Sequence, residues 1–275
     1  MQWDKVKNIL IAILLAINLF LLGNLAVRGW QSHRRSSELE ANLRTLVSAR
    51  GMQLDTAFSF PEDITLPELS LDRSRADEEK IAAAMLGEHA KRTEQEDGTV
   101  RFESDRGTLE WQADGNVQAD YTLTESAPTS ASEALEQARR LCSRWGFQAE
   151  QAGWTAEDTV VTLTGSVAGL PVHNRRLALD FSAGDGSVSL VGLWSFGTPY
   201  TTANGISITC SAADALLQFA AESGETGTIE SMTAGYRMQT DSSRRIRLTP
   251  TWKIDTETGE YLVDCDKKTI IGEEN

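Results

Sequence analysis

Only three histidines and three cysteines occur in 275 residues, and that scarcity removes most catalytic and metal chemistry from consideration. His33 stands beside Arg34 and Arg35, His89 falls in a charged stretch read as a solvated helix, and His173 follows a turn and reads as a surface or edge-strand residue. No two of them have ligand spacing, and H-E-x-x-H, G-x-S-x-G, phosphate-loop and G-x-G-x-x-G patterns are missing. Cys142, Cys210 and Cys265 lie 68 and 55 residues apart, which fits neither a zinc ribbon nor a C-x-x-C site and is too few for a disulfide framework. Buried free thiols are the expected state; a Cys210–Cys265 bridge requires the two ends of the last sheet to meet. Acid pairs such as Glu157-Asp158 and Asp264/Asp266 arise readily in a chain with 40 acids, and the second pair offers too few oxygens for calcium. The expectation is a protein with no catalytic residues, no cofactor and no metal.

An excess of basic charge is also missing. The formal net charge is −14, although the first thirty residues, with Lys5, Lys7 and Arg28 against Asp4, carry +2. Everything beyond them is therefore more acidic still. Such a surface repels phosphate backbones, so nucleic acid is excluded as a partner.

One long uncharged run is present. Residues 9–27 form 19 consecutive positions without a charge, broken in apolarity only by Asn18, Gly23 and Asn24. As a helix this run is roughly 28 Å long, close to the hydrocarbon thickness of a bilayer. It exceeds the apolar core of a signal peptide, and no Ala-x-Ala cleavage site follows it. A single N-terminal transmembrane helix over 9–30 is expected, with a cytoplasmic stub at 1–8 and an extracytoplasmic C-terminal domain. Lys5 and Lys7 before the helix and Arg28, Arg34 and Arg35 after it leave charge alone undecided, but about 245 residues follow the helix and only a few precede it. On a helical wheel Ala12, Ala16, Leu19, Gly23 and Ala26 share a face within about 80°. Small residues let transmembrane backbones approach, and Asn18, about 120° away, needs a hydrogen-bonding partner in lipid.

Beyond the membrane run the expected fold class is α+β. The segment SSELEANLRTLVSARG reads as an amphipathic helix with a Ser37/Glu40 capping box and Leu39, Leu43, Leu46 and Val47 on one stripe. An extended connector with Pro61 and Pro67 follows, then a helix in DEEKIAAAMLGEHAKR and two strands, TVRFES and GTLEWQAD, paired across Asp105-Arg106. These fill a region at 31–127. SASEALEQARRLCSRWGF and CSAADALLQFAAESG then align at an offset of 81, each with a serine cap and an acidic first turn, and each followed by alternating strands. The ectodomain is thus expected to repeat a helix-plus-antiparallel-sheet module, at 128–206 and 207–275. The residues Trp111, Trp194, Trp252, Tyr200, Tyr236 and Tyr261 fall on strands and read as core or sheet surface.

The opening Met1-Gln2-Trp3-Asp4-Lys5-Val6-Lys7, running into Ala16-Ile17-Asn18-Leu19-Phe20-Leu21, resembles the start of YycI (WalI) family proteins. Leu248-Thr249-Pro250-Thr251-Trp252, Gly259-Glu260-Tyr261 and the Gly169-Leu170-Pro171-Val172 hairpin resemble that family's later segments, and the helix-plus-sheet pattern is similar to PepSY-type domains. The resemblance implies a single-pass regulator of a WalK-like sensor histidine kinase governing cell-wall metabolism, acting with a YycH-like paralogue. In that family, contacts between transmembrane helices are thought to carry the signal. The matching positions are Trp3, Lys5, Lys7, Asn18, Leu19 and Phe20; the face of Ala12, Ala16, Gly23 and Ala26 is added from the wheel. The expected partners are that kinase, the paralogue and membrane lipid. The alternative is an anchored PepSY-like domain that binds or inhibits an exported enzyme.

Overall fold

The computed structural model describes residues 39–147, 153–183, 186–201, 207–240 and 245–271. The described chain begins inside a helix, α1, covering 39–49. Leu43 and Val47 are buried, whereas Leu39 and Leu46, expected on the same stripe, are each 51% exposed. The helix α2 (Arg75–Leu86) starts where Ser74 accepts a hydrogen bond from the Asp77 amide at 3.3 Å. It stops at Leu86, so the helix expected to continue through residue 92 is shorter; Gly87 closes it, and Lys91–Glu94 form strand β4 instead. His89 lies in the intervening turn and is exposed.

The repeated helices are found at the expected offset. α3 (Ala131–Trp145) is capped by Ser130 onto the Glu133 amide and α4 (Ala212–Glu222) by Ser211 onto the Asp214 amide, both at 3.3 Å. Each cap satisfies one orphan donor of the first turn, worth about 1 kcal/mol. Antiparallel strands follow each helix: β8 (Trp154–Glu157), β9 (Val160–Val167), β10 (Leu170–Asp180) and β11 (Ser187–Leu193) after α3, and β14 (Thr228–Thr240), β15 (Ile246–Thr256), β16 (Gly259–Asp264) and β17 (Ile270–Ile271) after α4. The architecture is mixed α and β, dominated by one large sheet.

Two features extend the sheet beyond these units. β5 (Val100–Ser104) and β6 (Gly107–Trp111) pair across Asp105-Arg106 as expected, β7 (Asn116–Thr122) joins them, and β7 pairs with β11 along seven residues. Residues 53–71, expected as a connector, supply β1 (Gln53–Leu54), β2 (Ile64–Pro67) and β3 (Leu69–Leu71). β3 lies between β15 and β12 (Tyr200–Thr201), and β2 pairs with β13 (Ser207–Cys210). Leu66, Leu69 and Leu71 are buried there, so burial holds a segment that its prolines and charges mark as a linker.

Two hydrophobic cores result. One packs α2 and α3 on β5–β7 and β9–β11 and draws only on residues 81–196. The other packs α1 and α4 on β14–β16 and combines residues 43–71 with 208–265, plus Val172. β10 is where the sheets meet. Its Val172 pairs in parallel with Tyr236 of β14, while β10 pairs with β9 on both sides of a bulge between Pro171 and Arg176 and with β11 beyond that bulge. Within the bulge the Asn174 carboxamide donates to the Met238 carbonyl (2.8 Å) and accepts from the Met238 amide (2.7 Å), imitating a backbone partner.

His173 sits at this joint and is 3% exposed, so the surface or edge position expected for it is wrong. A bulge puts two successive residues inside, which alternation does not anticipate. The Gly235 backbone passes so close that a Cβ there would lie 2.7 Å from His173 Nε2 and 2.3 Å from the Pro171 carbonyl oxygen. Burial, reinforced by the positive charge of Lys253, lowers the His173 pKa to about 4.

The cysteines also depart from expectation. Cys210, at the end of β13, is bridged to Cys265, just after β16, with Cα atoms 5.1 Å apart. Cys142 of α3 is free and buried, as read.

Candidate functional site

The expected contact residues Trp3, Lys5, Lys7, Ala12, Ala16, Asn18, Leu19, Phe20, Gly23 and Ala26, and the Ser37 cap, lie outside the described residues. Among the described residues no helix is long and apolar enough to cross a membrane, and no group of three or more His, Cys, Asp or Glu side chains forms a metal site. Asp264 is occupied structurally: its Oδ1 accepts from the Asp266 and Lys267 amides at 2.8 and 2.9 Å, shaping a turn.

The aromatic residues read as core or sheet surface are found there, although Trp194, expected on a strand, lies just past the end of β11. Trp111, Trp194, Trp252 and Tyr236 are buried, Tyr261 packs on Phe219, and Tyr200 is exposed at the β12 edge. Around Trp194 the rings interlock: Phe147 meets both Trp194 (5.9 Å between centroids) and Phe196 (5.8 Å). Edge-to-face rings at such distances fix one another's orientation as well as burying area.

Beside this cluster opens a recess of about 470 Å³, lined by Asp77, Lys80 and Ile81 of α2, Trp145 and Gly146 at the end of α3, Arg175 of β10, and Phe196, Gly197 and Thr198 beyond β11. The wall is held by local devices. Gly146 ends α3 in a left-handed conformation (φ 92°), with its amide returning to Cys142 at 2.9 Å. The Ser74 amide donates to the Phe196 carbonyl at 2.8 Å, pinning the start of α2 to the strand that leaves β11. Arg73 and Arg75 both clasp the buried Glu78 carboxylate, which anchors the first turn of α2.

Three charged groups line the recess, Asp77, Lys80 and Arg175, and Asp77 and Lys80 pair with each other. The Arg175 guanidinium carbon lies 4.3 Å from the Trp194 ring centroid, a cation–π placement. The arginine has space because residue 165 on the neighbouring strand is glycine: a Cβ there would come within 2.8 Å of Arg175 Cδ. Among the described residues the guanidinium has no hydrogen-bonding or ion-pair partner, and its Nε is buried unpaired. Burial lowers its pKa to about 10, which still leaves it charged at neutral pH. The recess carboxylate, Asp77, is engaged by Lys80 (2.8 Å) and by the Ser74 hydroxyl, which hold its pKa below the usual value. Sequence reasoning did not single out Arg175. The only local sign was a pair of adjacent arginines, Arg175-Arg176, on a strand of an acidic chain.

No protein-family model matches this sequence, and no curated protein matches it. Among solved structures the chain is similar to an uncharacterised protein from Eubacterium rectale, at 10% identity over 82% of this chain and 91% of that one, with a TM-score of 0.46. It is also similar to the C-terminal domain of YpeB from Bacillus megaterium, at 11% identity over 74% of this chain and 98% of that one, with a TM-score of 0.38. At these values the two neighbours assign neither a family nor an activity.

Proposed function

We propose that the chain is a non-enzymatic, membrane-anchored regulator that modulates a WalK-like sensor histidine kinase of a two-component system governing the cell wall, together with a YycH-like paralogue. The observation that carries this reading is the N-terminal sequence: Trp3, Lys5 and Lys7 leading into 19 uncharged residues with Asn18, Leu19 and Phe20 at their centre. Helix packing through the Ala12, Ala16, Gly23 and Ala26 face, and a hydrogen bond from the Asn18 amide, about 120° away, to a further helix supply about 0.6–2 kcal/mol per polar group. That is enough to bias a two-state kinase only if the contact differs between its states. The Cys210–Cys265 bridge supports the extracytoplasmic placement of the large domain, since disulfides persist in oxidising compartments. The acidic charge beyond the first thirty residues keeps this domain off anionic lipid.

The test replaces residues 9–27 with an unrelated apolar span and, separately, introduces Asn18→Leu and Gly23→Leu. Co-purification with the kinase is expected to fall in all three. Retention in all three shifts the contact to the ectodomain, which is the reading of an anchored domain that captures or inhibits an exported enzyme.

A further inference from the structure

The Arg175 recess invites a different question: why does an acidic protein keep a largely buried arginine that pairs with no acid among the described residues, although Asp77 lines the same recess? The chain has 40 acidic side chains, and Arg73, Arg75, Arg92, Arg101, Arg140 and Arg176 all find one among the described residues. Arg175 does not, although the site is built for it. Gly165 clears its path, Trp194 supports one face of the guanidinium, and Arg175 lines an open volume of about 470 Å³. A desolvated charge with no counter-charge is costly, and a cation–π contact recovers only part of that cost.

We propose that this recess binds a carboxylate carried on a compact apolar body, with Arg175 as the carboxylate receptor. The planar guanidinium, stacked by one face, keeps its edge for two parallel hydrogen bonds to a planar acid, which suits a carboxylate in geometry as well as charge. Ile81, Trp145 and Phe196 offer apolar walls to the rest of the ligand, and Asp77 does not compete because Lys80 already holds it. Two sources share this chemistry: a peptide C-terminus ending in an apolar residue, and a medium-chain fatty acid. The proposal stands apart from the membrane-helix reading and survives its failure.

The test titrates the full-length protein with N-acetyl-phenylalanine, N-acetyl-phenylalanine amide and octanoate by calorimetry. At least one of the two acids is expected to bind, the amide at least tenfold more weakly than its parent acid, and Arg175→Gln to weaken acid binding at least tenfold. Tighter binding of the amino acid derivative identifies a peptide C-terminus, and tighter binding of octanoate a fatty acid. Failure of both acids to bind at millimolar concentration overturns the proposal, as does equal binding of acid and amide. If Arg175→Gln does not fold, the indole N–H resonances of the native protein decide the matter. Trp145 and Trp194 must shift with the acid and stay in place with the amide, and the opposite pattern overturns the proposal.

Discussion

At the residue scale, burial changes the chemistry of two side chains that look ordinary in the sequence. The thiol of Cys142 is pushed up to about 12 by burial alone, so it is inert as a nucleophile. With Cys210 and Cys265 joined, the native protein offers no reactive thiolate. Maleimide labelling is expected to modify no cysteine in the native protein, one after denaturation without reductant, and all three after denaturation with reductant. Labelling of all three without reductant would contradict the bridge. His173 gives a pH signature. Unfolded, its imidazole titrates near 6.5; buried beside Lys253 and Arg176, with only Asp255 and the Thr251 backbone bond favouring the charged form, it titrates near about 4. Between those values only the unfolded chain takes up the proton. Stability from this group is therefore complete above pH 6.5, declines as the pH falls toward 4, and is constant below, a total of roughly 3 kcal/mol. Thermal melts of the native chain and of His173→Gln across pH 7 to 4.5 are expected to converge as the pH drops; parallel curves would refute the assignment.

At the element scale, what the sequence discloses is what local chemistry decides. The caps of α3 and α4 are legible because Ser130 and Ser211 act on amides three residues away, and the β5–β6 hairpin because its alternation is unbroken. β1–β3 are not legible: strands of two to four residues carry no period, and β2 meets its partner 144 residues later, as Thr65 pairs with Thr209. The bulge in β10 hid both His173 and Arg175 for the same reason, since it breaks the alternation that assigns faces. That bulge depends on Asn174, whose two bonds to Met238 extend the β10–β14 junction past its one backbone pairing. Asn174→Ala leaves the Met238 amide and carbonyl without those partners and is expected to lower stability by about 2 kcal/mol in urea unfolding. Asn174 is absent from the Arg175 recess, so binding of the acid probe is expected to persist in the folded variant. A loss below about 0.5 kcal/mol would mean the junction is held elsewhere, for example by the Arg176–Glu260 pair.

At the scale of the whole molecule, the two cores differ in how they use the chain. The α2–α3 core is assembled from one continuous stretch, whereas the α1–α4 core needs residues from both ends of the described chain. Its sheet takes β3 between β15 and β12, and its interior takes Leu43, Val47, Leu69 and Leu71 from before α2. The internal echo that marks α3 and α4 thus identifies like helices but does not disclose which strands each core borrows. The Cys210–Cys265 bridge lies wholly within the later part and closes a loop of 55 residues, about 4 kcal/mol in the chain-entropy treatment. That is not enough to replace four buried leucine and valine side chains at roughly 1.5–3 kcal/mol each, together with the pairing that β3 supplies. Expressed alone, residues 200–275 are therefore expected to stay unfolded even when oxidised, with poorly dispersed amide resonances, whereas residues 72–199 fold and keep the buried Trp145 and Trp194 environment. Adding residues 39–71 to the later fragment through a short flexible linker should restore its dispersion. If residues 200–275 fold unaided, β3 and α1 decorate a core that is already complete, and the shared architecture inferred here does not hold.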